Sequence, residues 1–204
     1  MATESNPLVI AITGATGAVW GLSLIKGLLS RKSEPRVPLT LLISQNGRQV
    51  VETETDASWD QWLESFKTEG DVEYRDLQDF SAPVASGSSL TRGMVIAPCS
   101  MGTLARIAAG VSGTLIERAA DVTLKERRPL ILLTRETPLS LIHLKNMKTV
   151  AEAGGIIMPP VPSFYNRPQT IEEIVLASVT RVCDILGLPL DGAFRWGAGN
   201  KGVQ

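Results

Sequence analysis

Short apolar runs alternate along this chain with stretches of helical period. Residues 8–13 (LVIAIT), 37–43, 94–97, 130–134 and 156–158 are apolar without regular polar alternation, as expected of strands buried on both faces. Pro35 and Pro38 bracket the second run, and Pro98 stops the third. Between the runs, Val19, Leu22, Ile25 and Leu29 recur at helical spacing, and a helix from Asn46 carries Val50 and Val51. Trp59, Trp62, Leu63 and Phe66 mark another amphipathic piece, and helices are predicted over 101–109, 115–125 and 138–153, with Gly110 and Gly113 breaking the first of these. In the last helix, Thr170 and Glu173 form a T-x-x-E capping box, and Ile171, Ile174, Val175, Ser178, Val182, Ile185 and Leu186 form the inner stripe. Gly187 and Pro189 stop it. Strands alternating with helices predict an α/β fold, a doubly wound parallel sheet with helices on both faces. The polar segment 70–93, centred on Ser86-Gly87-Ser88-Ser89, is expected to be a long functional loop. Residues 1–190 read as one domain and 191–204 as a glycine-rich tail.

In such sheets ligands collect at the carboxyl ends of the strands, which directs attention to the loops leaving them. Gly14-Ala15-Thr16-Gly17-Ala18 follows the first strand; its small residues admit a phosphate to a helix N-terminus and Thr16 adds a hydroxyl. A tight strand–helix turn is the competing reading, because the segment is neither G-x-G-x-x-G nor a P-loop. Ser44 follows the second strand as a cap or a ligand. Pro98-Cys99-Ser100-Met101-Gly102-Thr103 follows the third and offers hydroxyls and free amides to an anion or a flavin edge. Arg135 and Glu136 follow the fourth: Arg135 can fork onto a phosphate, Glu136 can exchange protons, or the two can form a local ion pair. A proline-rich loop, 159–168, presents Tyr165 and reads as a lid.

Composition narrows the chemistry. The 204 residues carry a net charge of −1, which advertises neither nucleic acid nor an anionic membrane. That sum hides a polarised chain: residues 101–150 hold eight Lys/Arg against four acids, whereas residues 1–100 hold eight against twelve. The positive block contains Arg118 and Lys125, seven apart on one helix face, while Arg127 and Arg128 read as a salt-bridged surface. One histidine (His143) and two cysteines (Cys99 and Cys183) leave little for zinc, CxxC redox or Ser–His–Asp chemistry. His143, Trp59 and Trp62 read as structural and Cys99 as a buried filler. No apolar stretch approaches the length of a membrane span, and the start MATESNP lacks the features of a secretory signal. With unpaired thiols, this suits a cytoplasmic protein.

Taken in order, these segments resemble the flavin prenyltransferase (UbiX-like) family over nearly the whole chain. The resemblance is carried by Gly14-Ala15-Thr16-Gly17-Ala18, Ser86-Gly87-Ser88, Ala97 through Thr103, Arg118-Ala119-Ala120-Asp121-Val122, Lys125 through Leu130, Arg135 through Leu139, and Met158-Pro159-Pro160 through Tyr165. It implies a flavodoxin- or Rossmann-like fold, a dodecamer with active sites at subunit junctions, and transfer of a dimethylallyl group from dimethylallyl phosphate to reduced FMN. The product would serve a separate UbiD-type decarboxylase. By the same resemblance, Gly14, Ala15, Thr16, Ser44, Ser100, Met101, Gly102, Thr103 and Arg135 would hold FMN. Arg118, Lys125, Tyr165 and Arg181 would hold the substrate phosphate, some across an interface. Glu136 would be the acid/base, Trp196 part of an aromatic wall, and Glu54 a glutamate near the site. The composition suits this chemistry: the flavin is the nucleophile, and there is no DDxxD motif to hold magnesium against a diphosphate, so no metal is expected. Thr16 and Trp20 depart from the usual Ser and Tyr, and Trp20 is expected to reshape the prenyl pocket. Two other readings are a related cysteine decarboxylase, disfavoured because the early helix has no His and the segment 158–166 reads MPPVPSFYN, and a non-enzymatic FMN carrier for a decarboxylase.

Overall fold

The protein, here a computed structural model, is described over residues 6–32 and 36–191. Six parallel strands form one sheet in the order β3-β2-β1-β4-β5-β6. They are β1 (Leu8–Ile12), β2 (Leu39–Ile43), β3 (Val72–Tyr74), β4 (Gly93–Cys99), β5 (Leu130–Thr134) and β6 (Ile156–Ile157). The helices are α1 (Ala18–Leu29), α2 (Gln45–Glu54), α3 (Trp59–Glu69), α4 (Met101–Ala108), α5 (Leu115–Lys125), α6 (Leu141–Glu152) and α7 (Ile171–Ile185). Ile10 is in register with Leu41 on one side and Val95 on the other. Every residue of β1, β2, β4 and β5 is buried, because alternate side chains enter two cores. Leu8, Ile10, Ile12, Leu41, Val95 and Ile131 join α1, α3 and α7 in one core. Val9, Ala11, Leu42, Ile96 and Leu132 join α4 and α5 in the other.

The five predicted strands are present, and a sixth, β3, lies inside the segment expected to be loop. It is three residues long, pairs only with β2 and has a half-buried, exposed, half-buried pattern, so it carries no apolar run to reveal it. β4 continues through Pro98 to Cys99, because the proline carbonyl still accepts hydrogen bonds from Thr13 N (3.2 Å) and Thr13 Oγ1 (2.8 Å). α6 begins at Leu141 rather than at Pro138, since Ser140 caps it by accepting from His143 N, while Ser140 N donates to His143 Nδ1. His143 is therefore structural, as expected. In α7, Thr170 accepts from Glu173 N (3.2 Å), but the Glu173 carboxylate accepts from Gln169 N (2.6 Å), one residue beyond the expected partner. Its buried stripe is Val175, Ser178, Val179, Val182, Cys183 and Leu186, whereas Ile171 is exposed. Among the described residues no helix is long and apolar enough to cross a membrane. Trp196 and residues 192–204 lie outside the described residues.

Candidate functional site

The strand order reverses between β1 and β4, and the loops leaving these two strands are joined through Thr13. This threonine is 1% exposed; its hydroxyl donates to Pro98 O and accepts from Ser100 N (2.8 Å), so the two loops are held in one register. Thr13 was not singled out from sequence, and its only signal there is a hydroxyl ending an apolar run. Next to it, Gly14 packs against α2, where a Cβ would overlap the Cβ of Asn46. Gly17 takes a left-handed φ of 101° as the N-cap of α1, and a Cβ there would overlap the Trp20 ring. Trp20 thus lies against the turn itself, with its indole Nε1 buried and unpartnered.

Gly17 supplies no side-chain cap for α1, and Glu54 at the end of α2 takes that place. Its carboxylate accepts from Gly17 N (2.9 Å), Ala18 N (2.8 Å) and the Thr16 hydroxyl. A carboxylate at a helix N-terminus meets both the orphan amides and the dipole. Glu54 is therefore at the first loop, and the amides that a phosphate would have used are already bonded to an anion. Ser44 is a cap, accepting from Gly47 N (2.9 Å) at the start of α2. Ser100 likewise caps α4 by accepting from Thr103 N (3.4 Å) and donates to the Thr103 hydroxyl (3.1 Å). Arg135 N donates to Cys99 O (3.1 Å), which brings the β5 loop to the same edge. Glu136 is exposed and its carboxylate accepts from Thr137 N (3.0 Å), and Arg135 and Glu136 form no ion pair with each other.

The edge fits a flavin mononucleotide on three counts. The hydroxyls of Thr16, Ser44 and Ser100, and of Thr103 in the first turn of α4, all lie at the carboxyl ends of β1, β2 and β4. A Cβ on Gly102 would meet only Arg106 Nη1, at 3.5 Å, so the first turn of α4 is open to a ligand. The Thr134 hydroxyl, 2% exposed at the end of β5, and the Trp20 indole are left unpartnered.

The expected phosphate-holding residues lie elsewhere. Lys125 ends α5, only a short turn before β5 begins, and so stands at the amino-terminal edge of the sheet. The Ser86–Ser89 stretch precedes β4 and lies with it: a Cβ on Gly87 would fall 2.5 Å from Lys125 Nζ. Lys125 pairs with Glu126, whose carboxyl it holds below the usual range. Arg118 Nε donates to Ala85 O (3.0 Å), and its Nη1 meets Asp121 at 2.8 Å. Arg128, expected to be salt-bridged surface, instead donates to Gly87 O and Ser89 O (both 2.8 Å) and to the Thr91 hydroxyl (3.1 Å). Arg181 lines a cleft of about 610 Å³ between α7 and the 159–168 loop, with Asn166, Arg167 and Glu173, and Tyr165 on that loop is 77% exposed.

Both cysteines are buried, and burial pushes each thiol up to about 12. The native protein is therefore expected to resist alkylation by iodoacetamide at pH 8, and to take up two equivalents only after denaturation. Because the folded values are raised, the thiols favour the fold below pH 9, and that contribution is lost as pH climbs toward 12. Rapid native labelling of Cys99 would reopen a nucleophilic role for it. Among the described residues no group of three or more His, Cys, Asp or Glu is placed to hold a metal.

A family model described as flavoprotein matches residues 2–187. The flavin prenyltransferase UbiX of Pseudomonas aeruginosa is 44% identical over 199 residues, covering 93% of each chain. The dodecameric FMN-dependent UbiX-like decarboxylase of Escherichia coli O157:H7 superposes with a TM-score of 0.85 at 42% identity, covering 93% of this chain and 98% of that one. A UbiX structure (AnUbiX) in complex with FMN and dimethylallyl pyrophosphate superposes with a TM-score of 0.87 at 40% identity, covering 96% and 99%.

Proposed function

Since the chain belongs to the flavoprotein family and, within it, to the flavin prenyltransferases, we propose that the carboxyl edge of its sheet holds FMN and that a neighbouring copy brings the cations for the prenyl donor. The enzyme transfers a dimethylallyl group to reduced FMN, with dimethylallyl phosphate as the proposed donor, where the AnUbiX structure holds dimethylallyl pyrophosphate. The observation that carries the site assignment is the joining of the 14–18 and 100–103 loops through Thr13 at the β1/β4 reversal. Gly14, Ala15 and Thr16, with Ser44, Ser100 through Thr103 and Arg135, hold the flavin. Bound reduced FMN supplies the nucleophile.

The chain's own residues do the rest. Arg118, Lys125 and Arg181 neutralise the donor's phosphate and the Tyr165 hydroxyl donates to it as its carbon–oxygen bond breaks, and Glu136 moves a proton at a phosphate oxygen. Trp20, packed against the Gly17 turn, forms one wall of the prenyl pocket. Lys125 and the flavin loops stand at opposite edges of one sheet, so a second copy must bring its Lys125 to complete a site. Leu141, Ile142, Val161 and Phe164 are 66–72% exposed, which supports burial against such copies. A homo-oligomer is supported by the dodecameric relative, and twelve copies is the proposed count. The product then passes to a UbiD-type decarboxylase, and the cytoplasm is the proposed compartment. A non-enzymatic FMN carrier is not favoured, because the relatives are transferases over the same length of chain.

Anaerobic incubation with reduced FMN and dimethylallyl phosphate, followed by mass spectrometry of the extracted flavin, tests the activity. A gain of one C5 unit is expected, and unchanged FMN would overturn it. Glu136→Gln should bind FMN as the wild type does and prenylate it on the order of a hundredfold more slowly. An unchanged rate would remove Glu136 from the reaction.

A further inference from the structure

One arginine at the flavin edge belongs to no segment that carried the family resemblance as a ligand. Arg106 lies in the last turn of α4, and its side chain runs back toward the helix start, as long helical side chains do. Nε meets Glu117 Oε1 at 2.7 Å, and Nη2 donates to the Thr103 hydroxyl at 3.3 Å. Thr103 in turn receives a hydrogen bond from the Ser100 hydroxyl (3.1 Å). The anchor is firm: Glu117 is 2% exposed and also accepts from Thr114 N (2.8 Å) and the Thr114 hydroxyl, whereas the arginine side chain is 47% exposed. A buried carboxylate thus fixes one side of a guanidinium whose other side faces outward beside Gly102.

We propose that Arg106 is the residue that gives the 100–103 loop its preference for a phosphorylated flavin, holding Thr103 and Ser100 in place and offering its outward Nη1 to the FMN phosphate. The inference rests on the reading that this loop holds FMN. Two observations direct the phosphate here. At the start of α1 the amides are already bonded to the Glu54 carboxylate, which would repel a second anion. At the start of α4 the caps are neutral hydroxyls, the Gly102 position is open, and a fixed cation adjoins it.

The test is binding of oxidised FMN and riboflavin, which differ by that phosphate, to the assembled protein by flavin fluorescence. Wild type should prefer FMN. In Arg106→Gln the FMN Kd should rise about tenfold or more, with a much smaller rise for riboflavin, and Arg106→Lys should recover part of the loss. The FMN affinity of the variant should also depend less steeply on salt. Because Arg106→Gln leaves a buried carboxylate short of its partner, the pair Arg106→Gln with Glu117→Gln is measured beside it and should show the same selective loss. Equal weakening of both flavins would mean a structural prop only, and an unmoved FMN-to-riboflavin ratio would also overturn the proposal. Wild type binding neither flavin would overturn the reading of the loop itself.

Discussion

Lys125→Ala should bind FMN as tightly as the wild type while transferring the prenyl group at least a hundredfold more slowly, the cost of removing one preorganised charge from a developing anion. Lys125→Arg should restore only part of the rate, since a planar fork replaces a point charge. The stronger expectation concerns mixtures. Lys125 stands at the amino edge of the sheet and Glu136 at the carboxyl edge, so copies carrying Lys125→Ala alone or Glu136→Gln alone fail for different reasons. When the two are unfolded and reassembled together, about a quarter of the junctions should pair a sound Glu136 with a sound Lys125, and activity should return to that extent. Mixed oligomers as inactive as either parent would place Lys125 outside the shared site.

Gly21→Ala is expected to be among the most damaging glycine-to-alanine changes within the described residues. Gly21 faces the sheet from α1, where a Cβ would overlap the Ala97 carbonyl oxygen and lie 3.0 Å from Ile12 Cγ1. Neither neighbour is a flexible side-chain end, so the helix must move, at about 3 kcal/mol or a fall of about 6–12 °C in Tm. Gly27→Ala in the same helix is the control. It gains the same helix propensity, its one tight neighbour is the pliable Leu190 Cδ1 at 3.2 Å, and it should leave Tm level or slightly raised. Matching losses at the two positions would show that flexibility of α1, not its closeness to the sheet, is at stake. Because Gly17 of the first loop caps α1, the Gly21 variant should also weaken flavin binding.

Some of this was legible in the sequence. The strands β1, β2, β4, β5 and β6 announce themselves as apolar runs, and Gly-rich or Ser-capped loops follow them at the positions where a doubly wound sheet needs ligands. β3 does not, because a three-residue edge strand has only one partner and no face to bury completely. The site's long-range bonds were equally hidden. Glu54 reaches Gly17 across 37 residues, and Thr13 reaches Ser100 across 87. Periodicity is local and carries no record of such distances. Arg128 shows the same limit: among charged neighbours it read as solvated surface, yet its guanidinium satisfies three acceptors of a loop that precedes it by 37 to 41 residues.

The opposed placement of Lys125 and the flavin loops has a genetic side. With the sites shared as proposed, each copy would be host to one reaction and lender to another, so a lesion at the amino edge would be felt at a site whose own sequence is intact. Lesions at opposite edges carried by different copies would then complement in part, since turnover would follow the product of the sound fractions at the two edges.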